Sequence, residues 1–388
     1  MTKSYVFTSE SVSEGHPDKV ADQISDAVLD AYLELDPLAK VACETLVTRG
    51  ALILAGEVNS TEKLDEDVLR GTVRNTIRNI GYVDEATGFN CDRFEFENRL
   101  HRQSRDIERA VEQGGNNLGA GDQGMMFGYA VNETPELMPL PIWLAHRLVE
   151  KQAEVRKNGT VPWFGPDAKS QVVVRYRYGR PAVVEKVVLS TQHSADAGNG
   201  DVKESVTQQI IEAVIPSELK ADNIEYLVNP SGRFVTGGPE ADTGVTGRKI
   251  IVDTYGGSCP HGGGAFSGKD ATKVDRSAAY MARYVAKNLV AAGLASRCTV
   301  QLSYAIGRAD PTSVFLDFYG TGRVDEDKVL EFVKGMVDLT PAGIIKTLDL
   351  RRPIYSPTAA YGHFGRNLPT FTWEKTDLVG DLRNRFGM

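Results

Sequence analysis

The same order of helices and strands recurs three times along this chain of 388 residues, and that recurrence constrains the fold more than any single motif. In each round, apolar residues at helical spacing predict a long helix, which is followed by two strands around a short turn and by a second helix. The long helices are predicted at 18–35, 140–157 and 273–292, the strand pairs at 41–55, 172–189 and 299–319, and the second helices at 63–80, 202–215 and 327–339.

This recurrence predicts an α+β protein of three similar domains, each with a small, mostly antiparallel sheet that carries helices on one face. A chain of this length also exceeds what one hydrophobic core usually supports. The irregular stretches 98–124 and 237–268 are longer than passive connections usually are, and they contain many of the charged and glycine residues discussed below. We therefore expect functional loops there.

The overall charge and the cysteines argue against several functions. The formal net charge of −8 disfavours nucleic acid or an anionic membrane as a partner, so any basic site must be local. The four cysteines lie far apart without a C-x-x-C pair, which favours neither a zinc site nor a disulfide framework and fits a reducing compartment. Because no apolar run is long enough for a membrane span or a signal peptide, we expect a cytoplasmic protein.

The stretch 262–270 combines four glycines with Lys269 and Asp270, and Lys273 and Asp275 follow closely. Glycines let backbone N–H groups approach a ligand, lysines attract phosphates, and aspartates offer the hard oxygens that Mg²⁺ prefers. We predict that this glycine-rich stretch binds a polyphosphate together with Mg²⁺; a surface turn is the alternative.

The same stretch is similar to a P-loop without matching it. Residues 263–269 read G-x-x-x-x-G-K, and 250–252 could form the preceding strand. Asp270, however, stands where a P-loop has the Ser or Thr that ligates Mg²⁺, and Phe266 places a large ring inside the loop. The pattern therefore favours a phosphate site of another type.

Weaker signals lie elsewhere in the chain. His16 and Asp18 open the first long helix, where backbone donors could face an anion, although N-capping explains Asp18 equally well. Glu44 and Glu57 lie on one predicted hairpin, which is compatible with a cation and also with a solvated sheet face. Basic residues scattered over 229–249 read as pieces of a triphosphate clamp, and none of these pieces is decisive alone.

Longer motifs point to one family. The chain lacks both the G-x-S-x-G of serine hydrolases and a G-x-G-x-x-G at the head of a βαβ unit. It resembles the S-adenosylmethionine synthetase (methionine adenosyltransferase) family nearly from end to end. The matching motifs are FTSESVSEGHPDK at 7–19, GAGDQG at 119–124, STQHS at 190–194, VDTYGG at 252–257, GGGAFSGKD at 262–270 and YGHFG at 361–365.

The resemblance implies that methionine sulfur attacks C5′ of ATP and expels triphosphate, which is then cleaved to pyrophosphate and phosphate. It also implies two Mg²⁺, a stimulating K⁺, and three α+β domains in a pseudo-threefold arrangement. Family members are usually homodimers or dimers of dimers (homotetramers) whose sites are shared between chains. The implied segments are 1–102, a gating loop at 103–118, 119–236 and 237–388, with exchange of segments between structural domains possible.

The resemblance also implies roles for individual residues. The implied catalytic residues are His16, Lys169, Arg248, Lys269 and Lys273. The implied ATP-binding residues are His16, Asp167, Ala168, Lys169, Arg233, Phe234, Asp242, Arg248, Lys249, Ala265 and Lys269. The implied methionine-binding residues are Glu57, Gln103, Asp122, Asp242 and Lys273, and the implied metal ligands are Asp18 and Asp275 for Mg²⁺ and Glu44 for K⁺.

One position departs from the family pattern. The gating loop commonly reads QSPDI, whereas this chain has Arg105 in place of the proline. We hypothesise altered gating, hence a changed turnover or KM, which Arg105→Pro would test. Two other readings stay open at this point: a P-loop-like kinase or ATPase, which would release ADP, and an inactive nucleotide-binding regulatory subunit.

Overall fold

The computed structural model describes residues 4–102 and 118–388, in which three small sheets are packed against helices. The strands are β1 (Ser4–Val12), β2 (Lys40–Thr48), β3 (Ala51–Asn59), β4 (Glu95–Arg102), β5 (Gly124–Val131), β6 (Phe164–Arg177), β7 (Arg180–His193), β8 (Lys220–Val228), β9 (Gly244–Val245), β10 (Arg297–Tyr304) and β11 (Ser313–Asp317). The helices are α1 (Pro17–Leu35), α2 (Glu66–Ile80), α3 (Leu140–Lys157), α4 (Asn199–Val206), α5 (Glu212–Val214), α6 (Ile250–Asp253), α7 (Val274–Ala291), α8 (Glu326–Met336), α9 (Pro341–Leu348) and α10 (Val379–Phe386). Across these described ranges, none of the helices has both the length and the apolar character that crossing a membrane requires.

The three predicted rounds are confirmed. The long helices α1, α3 and α7 begin within a residue or so of their predicted starts, and the predicted strand pairs are β2–β3, β6–β7 and β10–β11. The strands of the second pair extend further than expected, because residues before and after the apolar core continue the pairing. The fold class is α+β, as predicted.

One predicted strand is wrong. By sequence, residues 250–252 could form the strand before the glycine-rich stretch, but they form the short helix α6, in which Asp253 N donates to Lys249 O at 2.8 Å. The helix brings the Asp253 carboxylate to the buried Lys19 ammonium, with Oδ1 and Nζ 2.5 Å apart. A contact so distant in sequence overrides what three apolar residues suggest locally.

Each sheet takes one edge strand from a different part of the chain. The strand before α1 (β1) joins β6, the strand before α3 (β5) joins β10, and the strand before α7 (β9) returns to β2. The sheet orders are β1-β6-β7-β8, β11-β10-β5 and β4-β3-β2-β9, with parallel pairs at β3–β4 and β7–β8. Because every sheet combines strands from two separate parts of the chain, the sheets do not mark linear domain boundaries. The boundaries at 102, 118 and 236 therefore stay a prediction.

The long helices bury one face of each sheet and leave the other face open. Val20, Ile24 and Val28 of α1 are fully buried against the sheet that contains β2 and β3. On the outer faces, Leu46 and Met125 are among the exposed large apolar side chains. Several candidate functional residues lie where α1 and α7 begin and beside the outer face of β2.

Candidate active site

The first group of candidate residues lies where β1 leads into α1. Ser13 ties this turn to the start of β6, because its N–H donates to Ala168 O at 2.8 Å and its Oγ donates to Pro166 O at 2.7 Å. Gly15 is required here, since a Cβ would lie 2.3 Å from the Pro166 carbonyl carbon. The turn therefore places His16 firmly beside the strand that carries Ala168.

His16 is a buried, neutral imidazole at the N-terminus of α1. Burial lowers its pKa to about 3, and the nearby Lys249 and Lys169 add to this lowering, which the Asp18 carboxylate only partly opposes. Its Nδ1 accepts a hydrogen bond from Asp18 N at 3.2 Å. A neutral ring whose Nδ1 accepts must carry its proton on Nε2, so His16 can donate one hydrogen bond from that atom.

Asp18 joins the helix start to the loop before α6. Its Oδ2 lies 2.5 Å from Lys249 Nζ, its Oδ1 accepts from Val245 N at 3.0 Å, and Arg248 Nε lies 3.8 Å from Oδ1. Burial opposes ionisation, but the hydrogen bonds from Lys249 and Val245 lower the pKa of Asp18 overall. The carboxylate is thus charged and flanked by two cations.

Asp18 is the first of four aspartates at four-residue spacing on one buried face of α1. Each accepts backbone N–H groups from the C-terminal part of the chain, which fixes loops to the helix. The donors are Val245 N to Asp18, Gly247 N to Asp22, Gly268 N to Asp26, and Tyr355 N and Ser356 N to Asp30, at 2.7–3.0 Å. Sequence reasoning missed the last three aspartates, although acids at every fourth residue of a largely apolar helix were a visible signal.

Lys19 is fully buried behind the start of α1. Its Nζ lies 2.8 Å from Asp22 Oδ2 and 2.5 Å from Asp253 Oδ1. Burial raises the pKa of Asp253 to about 7, against the opposing effect of Lys19. The ammonium therefore faces inward and holds the loop that carries Arg248 and Lys249, and it is not available to a ligand.

The glycine-rich stretch docks along β2 as an additional strand-like segment. Cys43 N donates to Gly268 O at 2.9 Å, and Asp270 N donates to Val41 O at 3.0 Å. Gly268 has a φ of +80°, and a Cβ there would lie 1.9 Å from Cys43 O, so only glycine permits this approach. This pairing places Lys269 opposite Ala42 of β2.

The side chains that follow this stretch form two lysine–aspartate pairs. Lys269 Nζ lies 2.6 Å from Asp275 Oδ2, and Lys273 Nζ contacts Asp270 Oδ2. Asp270 is buried, and its Oδ2 also accepts from Val41 N at 2.7 Å. Asp270 is thus occupied with backbone and Lys273, whereas Asp275 faces the glycines.

Glu44 lies on the outer face of β2, near this lysine. Partial burial raises the pKa of its carboxyl, Lys269 lowers it, and the nearby Asp22 and Glu57 raise it further. Glu57 is paired across the sheet with Ala42, which places both glutamates on the same face. A cation between or beside these carboxylates would relieve their mutual repulsion.

The two groups of residues are neighbours. Gly247, next to Arg248, lies against Ala265 of the glycine-rich stretch, because a Cβ on Gly247 would be 2.5 Å from Ala265 Cβ. Asp22 accepts Gly247 N and also influences the pKa of Glu44. The structure therefore brings together His16, Asp18, Arg248, Lys249, Ala265, Lys269, Asp275 and Glu44.

A third group borders the first one. Asp167 is buried and accepts from Gly238 N at 2.9 Å through Oδ2, while its Oδ1 has no hydrogen-bond partner among the described residues. Burial raises the pKa of Asp167 to about 6. Phe234 follows nearby, with its N–H donating to His193 Nε2 at 3.1 Å, and Arg233 is exposed and donates to Ala195 O. An unpartnered buried oxygen in this position is an open place for a donor.

Other predicted residues are more scattered. Glu57 lies 3.6 Å from His101 across β3–β4, and Asp122 and Asp242 are exposed and accept from the N–H of the next residue. Lys169 is exposed at the end of the β1–β6 pairing. Gln103 and Arg105, with the predicted gating loop up to residue 117, lie outside the described residues.

The donor set fits Mg²⁺ bound together with a phosphorylated ligand. Within 4–102 and 118–388, no group of three or more His, Cys, Asp or Glu side chains could hold a metal ion unaided. Magnesium usually takes one or two carboxylates and completes its shell with water and phosphate oxygens. Asp18 and Asp275 each supply a carboxylate beside a lysine that suits a phosphate.

Comparison with known proteins decides which family has this site. Three family models match in succession: the S-adenosylmethionine synthetase N-terminal domain at 4–105, the central domain at 117–234 and the C-terminal domain at 236–375. The chain belongs to the S-adenosylmethionine synthetase family. An S-adenosylmethionine synthase of Helicobacter hepaticus is 55% identical over 388 residues, covering 100% of both chains. Another, of a Nitratiruptor species, is 56% identical over 382 residues, covering 98% of each, and members of the family use metal ions.

Proposed function

We propose that this protein is an ATP:L-methionine S-adenosyltransferase that makes S-adenosylmethionine. The observation that carries the proposal is the pairing of Lys249 with Asp18 and of Lys269 with Asp275 on adjacent loops, in a chain similar to S-adenosylmethionine synthases over its whole length. A polyanion and a divalent cation that bind together can replace the partners in both pairs, since each lysine then contacts phosphate and each aspartate binds the metal.

The charges of the site match the charges that this reaction develops. A thioether sulfur attacks carbon without losing a proton, so the transfer needs no general base. Positive charge forms on sulfur and negative charge on the departing triphosphate. Fixed cations aimed at that triphosphate supply about 3 kcal/mol each in comparable sites, so alignment and preset charge account for the catalysis.

We assign the phosphate-side roles as follows. His16 donates from Nε2 to a triphosphate oxygen near C5′, because its low pKa and its Nδ1 acceptor role leave that proton in place. Lys169, Arg248, Lys249, Lys269 and Arg233 hold phosphates. After adenosyl transfer the same cations retain the triphosphate while it is cleaved to pyrophosphate and phosphate.

Metal ions belong to the same proposal. Asp18 and Asp275 would hold two Mg²⁺ ions, and Glu44 would hold K⁺ beside Lys269. When bound, these ions supply positive charge to the phosphate oxygens. The chain's own contribution is to lower the pKa of Asp18, to orient its carboxylate through Lys249 and the backbone N–H of Val245, and to leave room for Asp275 beside Gly264.

The nucleoside and methionine are assigned to the remaining residues. The unpartnered Asp167 Oδ1, Ala168 and Phe234 suit the nucleoside, since they offer one acceptor and one ring face at the border of the phosphate group. Asp122, Asp242, Glu57, Gln103 and Lys273 are assigned to methionine, whose amino and carboxylate groups need both signs of charge. Asp242 is shared with ATP.

Two copies of the chain complete the site in this proposal. The open outer sheet faces carry exposed Leu46, which lies next to Glu44 on the same face of β2, and exposed Met125 on β5, so a second copy packed there would cover apolar surface and border the site. We propose a homodimer or a dimer of dimers with sites shared between chains, in the cytoplasm. The four buried free thiols suit a reducing compartment.

Phosphorus NMR of the purified protein with ATP, Mg²⁺ and K⁺, with and without methionine, tests the function. Methionine-dependent pyrophosphate and phosphate without ADP is expected. ADP that forms regardless of methionine would mean a kinase or ATPase. Two features argue against a P-loop enzyme: the segment before the glycine-rich stretch is the helix α6 instead of a strand, and the Asp270 carboxylate is already bound by Val41 N. Nucleotide binding without turnover would mean a regulatory subunit.

A further inference from the structure

A buried ion pair lies directly behind the glycine-rich stretch. Arg276 of α7 and Asp26 of α1 form two parallel hydrogen bonds, Nη1 to Oδ1 at 2.7 Å and Nη2 to Oδ2 at 2.9 Å, and both residues are 0% exposed. Buried ion pairs are often replaceable by apolar residues without loss of stability. The presence of this pair therefore calls for a reason other than stability.

The pair binds the backbone that precedes the Lys269 side chain. Asp26 Oδ1 accepts from Gly268 N at 2.8 Å, and Arg276 Nη1 donates to Phe266 O at 3.0 Å and to Lys269 O at 3.1 Å. Three backbone groups of 266–269 are thus hydrogen-bonded to this one ion pair. On its other side the same segment pairs with β2, so it is held from both directions.

The remaining bonds of the pair make its geometry rigid. Arg276 Nη2 donates to Thr358 Oγ1 at 2.8 Å and Arg276 Nε donates to Tyr280 OH at 3.0 Å. Thr358 Oγ1 also lies 3.1 Å from Asp26 Oδ2. A planar guanidinium held at every edge has one orientation, unlike the flexible ammonium of a lysine.

We propose that the Asp26–Arg276 pair is a positioning device that sets Lys269 for the triphosphate without touching any substrate. The side chain of Lys269 extends from this held segment, and its Nζ reaches Asp275 Oδ2 at 2.6 Å. Because Asp26 lies on α1 and Arg276 on α7, the pair also joins these two helices directly. The inference rests on the proposed function through the role of Lys269.

The first test compares Asp26→Asn with Asp30→Asn. Asp30 lies one turn further along the same helix and also holds backbone N–H groups, but it contacts 355–356 instead of the glycine-rich stretch. Displacement of a binding group by about 1 Å costs on the order of 100-fold, so Asp26→Asn should weaken kcat/KM for ATP by about 10- to 100-fold. KM for methionine should stay within about twofold, and Asp30→Asn should leave all constants near wild type.

The second test places Asp26→Asn in a Lys269→Ala background. If Asp26 acts through Lys269, the double variant should be no slower than Lys269→Ala alone, within about twofold. Losses that multiply would mean a general structural role and would overturn the proposal. Arg276→Lys and Thr358→Val, which keep the charge or the shape, carry both tests if Asp26→Asn does not fold.

Calorimetric binding of Mg²⁺–tripolyphosphate separates this inference from the proposed function. A wild-type protein that forms no S-adenosylmethionine refutes the function, and the binding measurement still tests the device. The dissociation constant should rise about 10-fold or more in Asp26→Asn and stay unchanged in Asp30→Asn. Wild-type affinity in the folded Asp26, Arg276 and Thr358 variants overturns the inference.

Discussion

The starts of α1 and α7 have the same charges in different surroundings. Asp18 and Asp275 each occupy the second position of their helix, where a carboxylate is favoured by the helix dipole, and each pairs with a loop lysine, at 2.5 and 2.6 Å. The residue after each aspartate, Lys19 or Arg276, is basic and fully buried. The Asp18 side chain, however, is 4% exposed and that of Asp275 is 28% exposed.

The third equivalent helix shows that the repeat of the fold does not enforce this chemistry. α3 begins at Leu140 without an acidic residue in its first turn, and Leu140 N donates to Glu133 instead. The three units thus share architecture, and two of them present an aspartate to the same site. One aspartate is fixed by buried backbone, and the other depends on glycines that leave it room.

The largest expected effect concerns the buried base behind α1. Lys19→Met should destabilise the protein by about 3–5 kcal/mol, because it leaves Asp22 and Asp253 buried without their cation. Urea unfolding measures this change, with Lys157→Met as control, since the exposed Lys157 pairs with Glu14, which keeps Arg156 as a second partner. A loss of less than 1 kcal/mol would show that these carboxyls are protonated in the native protein.

Replacing the two aspartates by asparagine should separate their surroundings. Asp18→Asn is expected to lower the rate of S-adenosylmethionine formation by about 10²–10³-fold, because a preset buried charge is lost. Asp275→Asn should cost about 10-fold, since water reaches this more exposed position and can complete a metal shell. Both rates follow from product assays at saturating ATP, and equal losses would contradict the importance of burial.

The low pKa of His16 should make the free energy of unfolding depend on pH. Below its ordinary value of 6.5 the unfolded state takes up a proton, whereas the folded state does not until about pH 3, so falling pH favours unfolding through that window. His16→Gln should remove this contribution. Relative to wild type, the free energy of unfolding of the variant should therefore be about 2 kcal/mol higher at pH 5 than it is at pH 8. Denaturant titrations at both values test it, with exposed His101→Gln as the control; an unchanged difference would mean that His16 is protonated when folded.

The smallest expected effect concerns the space beside Asp275. A Cβ on Gly264 would lie 2.4 Å from Asp275 Oδ1, whereas a Cβ on Gly263 would meet no atom of 4–102 or 118–388 within 4 Å. Gly264→Ala should therefore displace Asp275 and lower activity by about 10-fold. Gly263→Ala should cost about 1–2 kcal/mol of stability through its φ of +93° while activity changes little. Equal activity in both variants would sink the steric argument.

The sequence predicted what is local and missed what is distant. The helices α1, α3 and α7 and their hairpins follow from periodicity, because each segment alone determines its apolar face. The pairing of strands β1, β5 and β9 could not be predicted in this way, since their partners lie in other thirds of the chain. The same holds for 250–252, because they form the helix α6 whose Asp253 contacts the sequence-distant Lys19.

The site divides in the same way. Motifs indicated His16, Lys269 and Asp275 as neighbours of a phosphate, and the family resemblance supplied the roles. Neither indicated that Asp22 and Asp26 hold the loops in place, since a carboxylate's backbone partners cannot be read from its own surroundings in the sequence. The contact of Gly247 with Ala265, which joins the two groups, likewise exists only in three dimensions.

The cyclic exchange of edge strands has a consequence for biosynthesis. β1 waits for β6 as the chain is synthesised, and β2 lacks one neighbour until β9 and the glycine-rich stretch have been made. Pairing over such distances is slow, and an unpaired strand edge invites association with other chains. The sheet of β1 is complete only when β8 has been made, the sheet of β2 only with β9, and the sheet of β5 only with β11. The strands of the first third therefore stay without these partners while much of the following chain is synthesised, and their edges are open to other chains over that interval.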